Sequence, residues 1–348
     1  MEDVTFDYSN LKTFSGYYKD SNLLKRSASG GAASILSETI IKNGGVVFGT
    51  DFSSDFQDAV YLCIDNIGDL ERIKGSKYIS TSKRMVYNGE DRNVYDVVFE
   101  KIKERRLVLF VGLGCDIGGL YQYLKKHTVD VSNLFTVDLI CHDPALKEIH
   151  RQYISNLQKK YGSPIVRYSM KYKTKNWISP HLYAEFENGK IFDRPFYDTD
   201  FGMMFRYYSP LGCYKCKFKG SDHCSDITIG DHWGLSKFNS KYNVMGMSIF
   251  FVRTEKGMNL VSKINENDFY ISDFDTHEAL INNPMYYMCR EKPFDYNNFV
   301  YVIEQKGLHV AAVKKVGLLK YCLKTNYSLQ KIINRIPMKF KKTFFTKD

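Results

Sequence analysis

The chain has 348 residues, 44% of them apolar, with a formal net charge of +10. That length suits one large domain or two, and that apolar share excludes a disordered chain. No run approaches the roughly 18 consecutive apolar residues that would read as a membrane span. The charge is local: from Val310 to Asp348 there are ten Lys or Arg against Asp348 alone, leaving about +1 for everything before. A nearly neutral body argues against nucleic acid as a partner. The opening MEDVTFDYSN is acidic and polar, unlike a signal peptide. The expectation is a cytoplasmic chain whose eight cysteines are buried, metal-bound or catalytic rather than disulfide-bonded.

Residues 1–26 show little periodicity. SASGG (27–31) then runs into AASILSETIIKNGG (32–45), where Ala33, Leu36 and Ile40 recur at helical spacing and Gly44-Gly45 stop the helix. A Ser/Gly loop entering a helix presents free N–H groups to a phosphate; glycines used for close packing look the same. VVFGTDF (46–52) and DAVYLCID (58–65) read as strands, 67–74 as a short helix, and GSKYISTS (75–82) as a hydroxyl-rich loop with one lysine. VYDVVFEKIKER (94–105) is an amphipathic helix.

RLVLFVGLGCDIGGLYQYLKK (106–126) reads as strand, glycine-rich turn and helix, and its strand is apolar throughout, as expected of one covered on both faces. Cys115 falls at the C-terminal end of that strand. LFTVDLICHD (134–143) repeats the arrangement, ending in Cys141-His142-Asp143, with Pro144 expected to open the next helix and 145–162 helical. In open α/β sheets, ligand sites gather at this edge. Parallel neighbours would bring Cys115 and Cys141 together there; a free cysteine can also be a small core residue.

Residues 165–194 alternate around an Asn188-Gly189 turn and read as antiparallel hairpin structure; Trp177 within them is read as core. Next comes CYKCKFKGSDHCSDITIGDHWG (213–234). Its Cys213-x-x-Cys216 turn can present two thiolates to one metal or one cluster. With Cys115 and Cys141 it makes four thiols that could converge. DITIGDHWG (226–234) is a short strand closing in a polar turn, 245–264 is strand, turn and helix, and 265–307 reads as irregular and helical cover. In the last segment Leu329, Ile332, Ile333 and Ile336 share one face of a basic amphipathic helix, the pattern of a membrane-surface anchor or of a solvated terminal helix. The fold class expected is α/β: a mixed, largely parallel sheet flanked by helices, with an antiparallel hairpin insertion and a C-terminal helical tail.

The stretches SASGGAASIL, GGVVFGTDF, LERIKGSKYIS, LVLFVGLGCDIGGL, LFTVDLICHD, GCYKCKFKG and SDITIGDHWG together resemble the coenzyme F(420) hydrogenase/dehydrogenase beta-subunit family. The resemblance includes its members encoded with capsule and exopolysaccharide genes, and covers about residues 25–265. It implies a flavin, FAD or FMN, and a [4Fe–4S] cluster on Cys115, Cys141, Cys213 and Cys216, with Cys224 outside the pattern. It implies flavin contacts from Ser29, Gly30, Gly31, Ser76, Lys77, Ser80, Gly112, Gly114, Asp226, Thr228, Gly230 and Asp231. Asp116, His142, Asp143 and His232 become candidate proton donors or substrate contacts. This chain departs from the family in carrying Asp116 and Asp143 where G-T-P-C-Q and C-H-G are common. It also lacks a cysteine-rich ferredoxin-like segment, so an external donor such as ferredoxin or flavodoxin is expected. Residues 1–308 would be the flavin/iron–sulfur oxidoreductase domain and 309–348 the basic tail. The expected work is polysaccharide biosynthesis on a sugar or sugar nucleotide, in the cytoplasm, with the tail at the inner membrane face. Two rivals stand beside it: a redox-neutral flavin-dependent sugar-nucleotide isomerase or mutase, and a binding module with zinc on Cys213, Cys216 and Cys224 plus His223 or Cys141.

Overall fold

The computed structural model describes residue 4 and residues 6–326, apart from 206, 236–238 and 240. Eight strands form the central sheet, in the spatial order Phe269–Asp273, Lys12–Tyr18, Ser248–Val252, Ile227–Asp231, Leu134–Leu139, Val108–Gly112, Val46–Phe52, Ala59–Ile64. Its core is parallel: the strands beginning at Val46, Val108, Leu134 and Ile227 all run the same way. The remaining neighbours pair antiparallel.

Both faces of the parallel core are covered, which is why its strands are apolar at nearly every position. Val47, Leu109 and Val137 point to the face covered by Ile35, Leu36 and Ile40 of the helix Ala32–Lys42. Val46, Phe48, Val108 and Phe110 point to the other, under Val94, Val97 and Val98 of Val94–Lys103 and Ile117 and Leu120 of Gly114–Lys126. A separate antiparallel sheet, Ile165–Tyr172, His181–Phe186 and Ile191–Pro195, carries the expected turn, with Gly189 at φ 77°. It packs on the helices Lys147–Tyr161 and Tyr296–Val316 in a further core.

Three expectations are corrected. The Leu134 strand ends at Leu139, before Cys141, and the following helix starts at Lys147 rather than at Pro144. Lys12–Tyr18 and Phe269–Asp273 are strands, paired with each other, although neither shows a period-two apolar pattern. Inward positions of the first are polar: Thr13 and Ser15 are buried, their hydroxyls bonded to Thr276 and His232. The short helix expected over 67–74 is a single turn, Leu70–Ile73. The amphipathic run at 329–336 lies outside the described residues.

Candidate functional site

The C-terminal ends of the parallel strands carry the cysteines. The Val108 strand passes through Gly112 and Leu113 into the helix beginning at Gly114, which lifts Cys115 onto the first helical turn. The glycine at 114 is needed for packing, since a methyl there would stand 2.9 Å from the Phe218 Cβ. Cys213 lies in the short helical turn Leu211–Lys215, whose end places Cys216 beside it. The Phe218 N–H is 3.5 Å from the Cys216 sulfur.

Cys115 and Cys213 are each within electrostatic reach of Cys216, Cys115 also of Cys213, and Cys141 of Cys115. Cys115 is exposed at its rim and Cys141 and Cys213 are half-buried; desolvation by the surrounding chain is still the largest cause raising their pKa values, Cys115 and Cys141 up to about 12 and Cys213 to about 11. Thiols that resist ionisation alone ionise when a cation binds them. Among the described residues, no three or more His, Cys, Asp or Glu side chains close on one ion position. A four-iron cluster asks for something else, one thiolate on each of four irons; the thiols the fold gathers at this edge in that number are Cys115, Cys141, Cys213 and Cys216. The Cys224 sulfur is 3.8 Å from the carbonyl of Gly114, the residue before Cys115, with Asp138 and Arg253 as its charged neighbours.

Asp116 and Asp143, next to Cys115 and the Cys141 loop, are buried and engaged. Asp116 caps its own helix through the Leu113 N–H at 3.3 Å, accepts the Tyr61 hydroxyl at 2.8 Å, and pairs with Lys83 at 2.5 Å. Asp143 has φ 63° and pairs with Arg290 at 3.0 Å. His142 is crowded, and desolvation first, then the Lys219, Arg290 and Lys171 cations, lower its imidazole pKa against the pull of Asp231.

The expected flavin segments are placed as follows. Ser29, with φ 48°, gives its hydroxyl to the Met247 carbonyl, and the Gly30 N–H goes to the Ser248 hydroxyl at 2.9 Å. The Gly31 N–H goes to the Ala28 carbonyl at 2.9 Å. Much of this loop's donor capacity is therefore spent on packing it against the sheet. Beneath it, buried Lys173 donates to the Leu24 and Ser29 carbonyls, at 2.7 and 2.5 Å. In the next loop Lys77 caps carbonyls of Lys74 and Arg72, Ser76 and Ser80 are half-buried, and Ile79 bridges to Ala145. Gly112 is buried under Tyr61, whose hydroxyl a methyl would meet at 2.6 Å.

Gly230 and Asp231 end their strand at the cysteine-bearing edge, where Asp231 pairs with Lys171 at 2.7 Å. Next to it, His232 gives or accepts one bond with Ser15 at 2.6 Å, and its buried Nε2 has no partner among the described residues. Trp177 is buried as expected, its ring 4.6 Å from Trp233 and its indole nitrogen unpartnered. Buried polar atoms normally have a partner, and His232 Nε2 and Trp177 Nε1 have none among the described residues. Asp226 lies at the other end of the strand, taken up by Thr136 and Thr254, and Thr228 gives its hydroxyl to Asp138 at 2.5 Å.

Sequence reasoning missed three features. Asp138, fully buried, gathers His223 at 2.6 Å, Ser225 at 2.7 Å and Thr228. Burial alone would raise its pKa, but His223 and Arg253 outweigh that and hold it low. The other His223 nitrogen faces the Tyr286 carbonyl at 3.1 Å, so both are occupied and zinc is not favoured there. Cys289 directs its sulfur at the Cys216 carbonyl, 3.7 Å away. Lys219 reaches across to the 141 loop. An Arg beside a cysteine at 289–290 was the available signal; nothing in sequence links 138 to 223. The open groove lined by Glu148, Gln152, Gly307 and His309 shares no residue with this site.

Fold and site together define an α/β chain with thiols collected at the C-terminal edge of its parallel strands. Residues 105–276 match the family described as the C terminus of the coenzyme F420 hydrogenase/dehydrogenase beta subunit. Among solved structures, the chain is similar to one reported under "Xenon derivatization of the F420-reducing [NiFe] hydrogenase complex from Methanosarcina barkeri", with TM-score 0.52 and 15% identity over 96% of this chain and 95% of that one. At that identity the similarity is one of fold. No curated protein matches the chain.

Proposed function

We propose that the chain is a flavin- and iron–sulfur-dependent oxidoreductase, with Cys115, Cys141, Cys213 and Cys216 holding a [4Fe–4S] cluster. The observation that carries this reading is the gathering of those four thiols, from three separate segments, within electrostatic reach at one sheet edge. When bound, the cluster supplies single electrons and the flavin two-electron or hydride chemistry. The chain's own part is to orient and shield. Phe218 lies against Gly114 and Gly118 and covers the helix that carries Cys115. Asp231, paired with Lys171, and the free His232 nitrogen offer polar contacts at the flavin side of the edge.

Substrate and setting rest on the resemblance to members encoded with capsule and exopolysaccharide genes: a sugar or sugar nucleotide, reduced with electrons from a ferredoxin or flavodoxin. The basic tail, with exposed Leu318 and Leu319 in its first part, suits an anionic membrane face. Among the described residues, no helix is long and apolar enough to cross a membrane. The test is iron and sulfide content after anaerobic purification. Cys→Ser at 115, 141, 213 or 216 should strip most of both, and at 63 or 224 neither. Full iron in all four ligand variants would sink the assignment.

A further inference from the structure

Lys219 is only 8% exposed. Its ammonium donates to the Cys141 carbonyl at 2.7 Å and the Met285 carbonyl at 2.6 Å, pinning the 141 loop and the 285–290 segment to the stretch that follows Cys216. Among the described residues no carboxylate forms an ion pair with it; the nearby Asp143 is paired to Arg290. A buried charge without a counter-charge is costly, and two carbonyl dipoles compensate only part of that. What Lys219 does face is the cysteine set. Its ammonium lies against the backbone of Cys141, and Lys219 itself stands three residues along the chain from Cys216.

We propose that Lys219 is the counter-ion of the cysteine centre: a positioning residue that sets how readily the bound cluster accepts an electron. The inference rests on the cluster reading above. Reduction adds one negative charge to the centre, and a fixed cation held on the loop of one ligand stabilises that charge. Lys219 makes no contact with substrate in this account. It acts only through the field it imposes and through the loops it ties.

The experiment is a redox titration of anaerobically reconstituted protein, followed by electron paramagnetic resonance, for wild type, Lys219→Met, Lys219→Gln and Lys219→Arg. Without the cation, the Met and Gln variants should have a more negative midpoint potential, and at a fixed solution potential near the wild-type midpoint their ratio of reduced to oxidised centre should fall at least tenfold. Lys219→Arg should stay near wild type. The two neutral variants guard against one failing to load. Loaded neutral variants with the wild-type potential would overturn the proposal alone, as would an arginine variant displaced as far as they are, which would show a purely steric role. Wild type that takes up no iron overturns the cluster reading and this proposal together.

Discussion

Individual side chains decide what this site can hold. Cysteines were legible in the sequence because few residue types share their chemistry and because two of them follow apolar strands. Lys219, Cys289 and the Asp138–His223 pair were not, since each acts across a separation of more than seventy residues in sequence. Burial also writes a pH dependence into single groups. His150 is fully buried between aromatic rings, with Nε2 on the Phe56 carbonyl at 2.7 Å, and desolvation draws its pKa down to about 4. In the unfolded chain it titrates near 6.5, so the unfolded state takes the proton first. Stability therefore falls as pH drops from about 6.5 towards 4, by roughly 3 kcal/mol for this group if the shift is fully realised. Urea midpoints across that window should decline less steeply in His150→Phe than in wild type. Equal slopes would show that His150 is not the titrating group.

At the level of elements, the parallel strands and their helices were readable because they are buried on both faces, so apolar runs and helical spacing coincide with packing. The edge strands were not: Lys12–Tyr18 turns Thr13 and Ser15 inward, and hydroxyl bonds replace an apolar stripe. The Ser29–Gly31 loop shows the opposite limit. Its composition fits a phosphate cradle, yet Gly30 is held close to the sheet, where a methyl would collide with the Gly16 carbonyl and stand 2.6 Å from the Ser248 nitrogen. Gly30→Ala should cost about 2 kcal/mol or more. Gly212→Ala, with nothing within 4 Å of the added carbon, should change stability by less than about 0.5 kcal/mol. Thermal or urea unfolding of the two variants reads the contrast, and equal stabilities would remove the close-packing role assigned to Gly30.

For the molecule as a whole, sequence and structure agree on an α/β body, while the charge sits in the last forty residues or so. The helix Leu318–Thr325 exposes Leu318 and Leu319 at 67% and 76%, within that basic stretch. Full-length protein should sediment with vesicles containing phosphatidylserine and release as salt rises, since each cation near such a surface adds about 1 kcal/mol. Leu318→Ser/Leu319→Ser should weaken the binding that persists at moderate salt. Equal binding to neutral vesicles would contradict an electrostatic contact. The gathered thiols make the more consequential claim, because they decide between a redox protein and an inert scaffold. The direct measurement is an anaerobic absorption spectrum of the wild-type chain with iron, acid-labile sulfide, zinc and flavin analysis. The account predicts yellow-brown protein with about four irons, about four sulfides and one flavin per chain. Colourless protein carrying a single zinc, or no metal and no flavin after reconstitution, would contradict it.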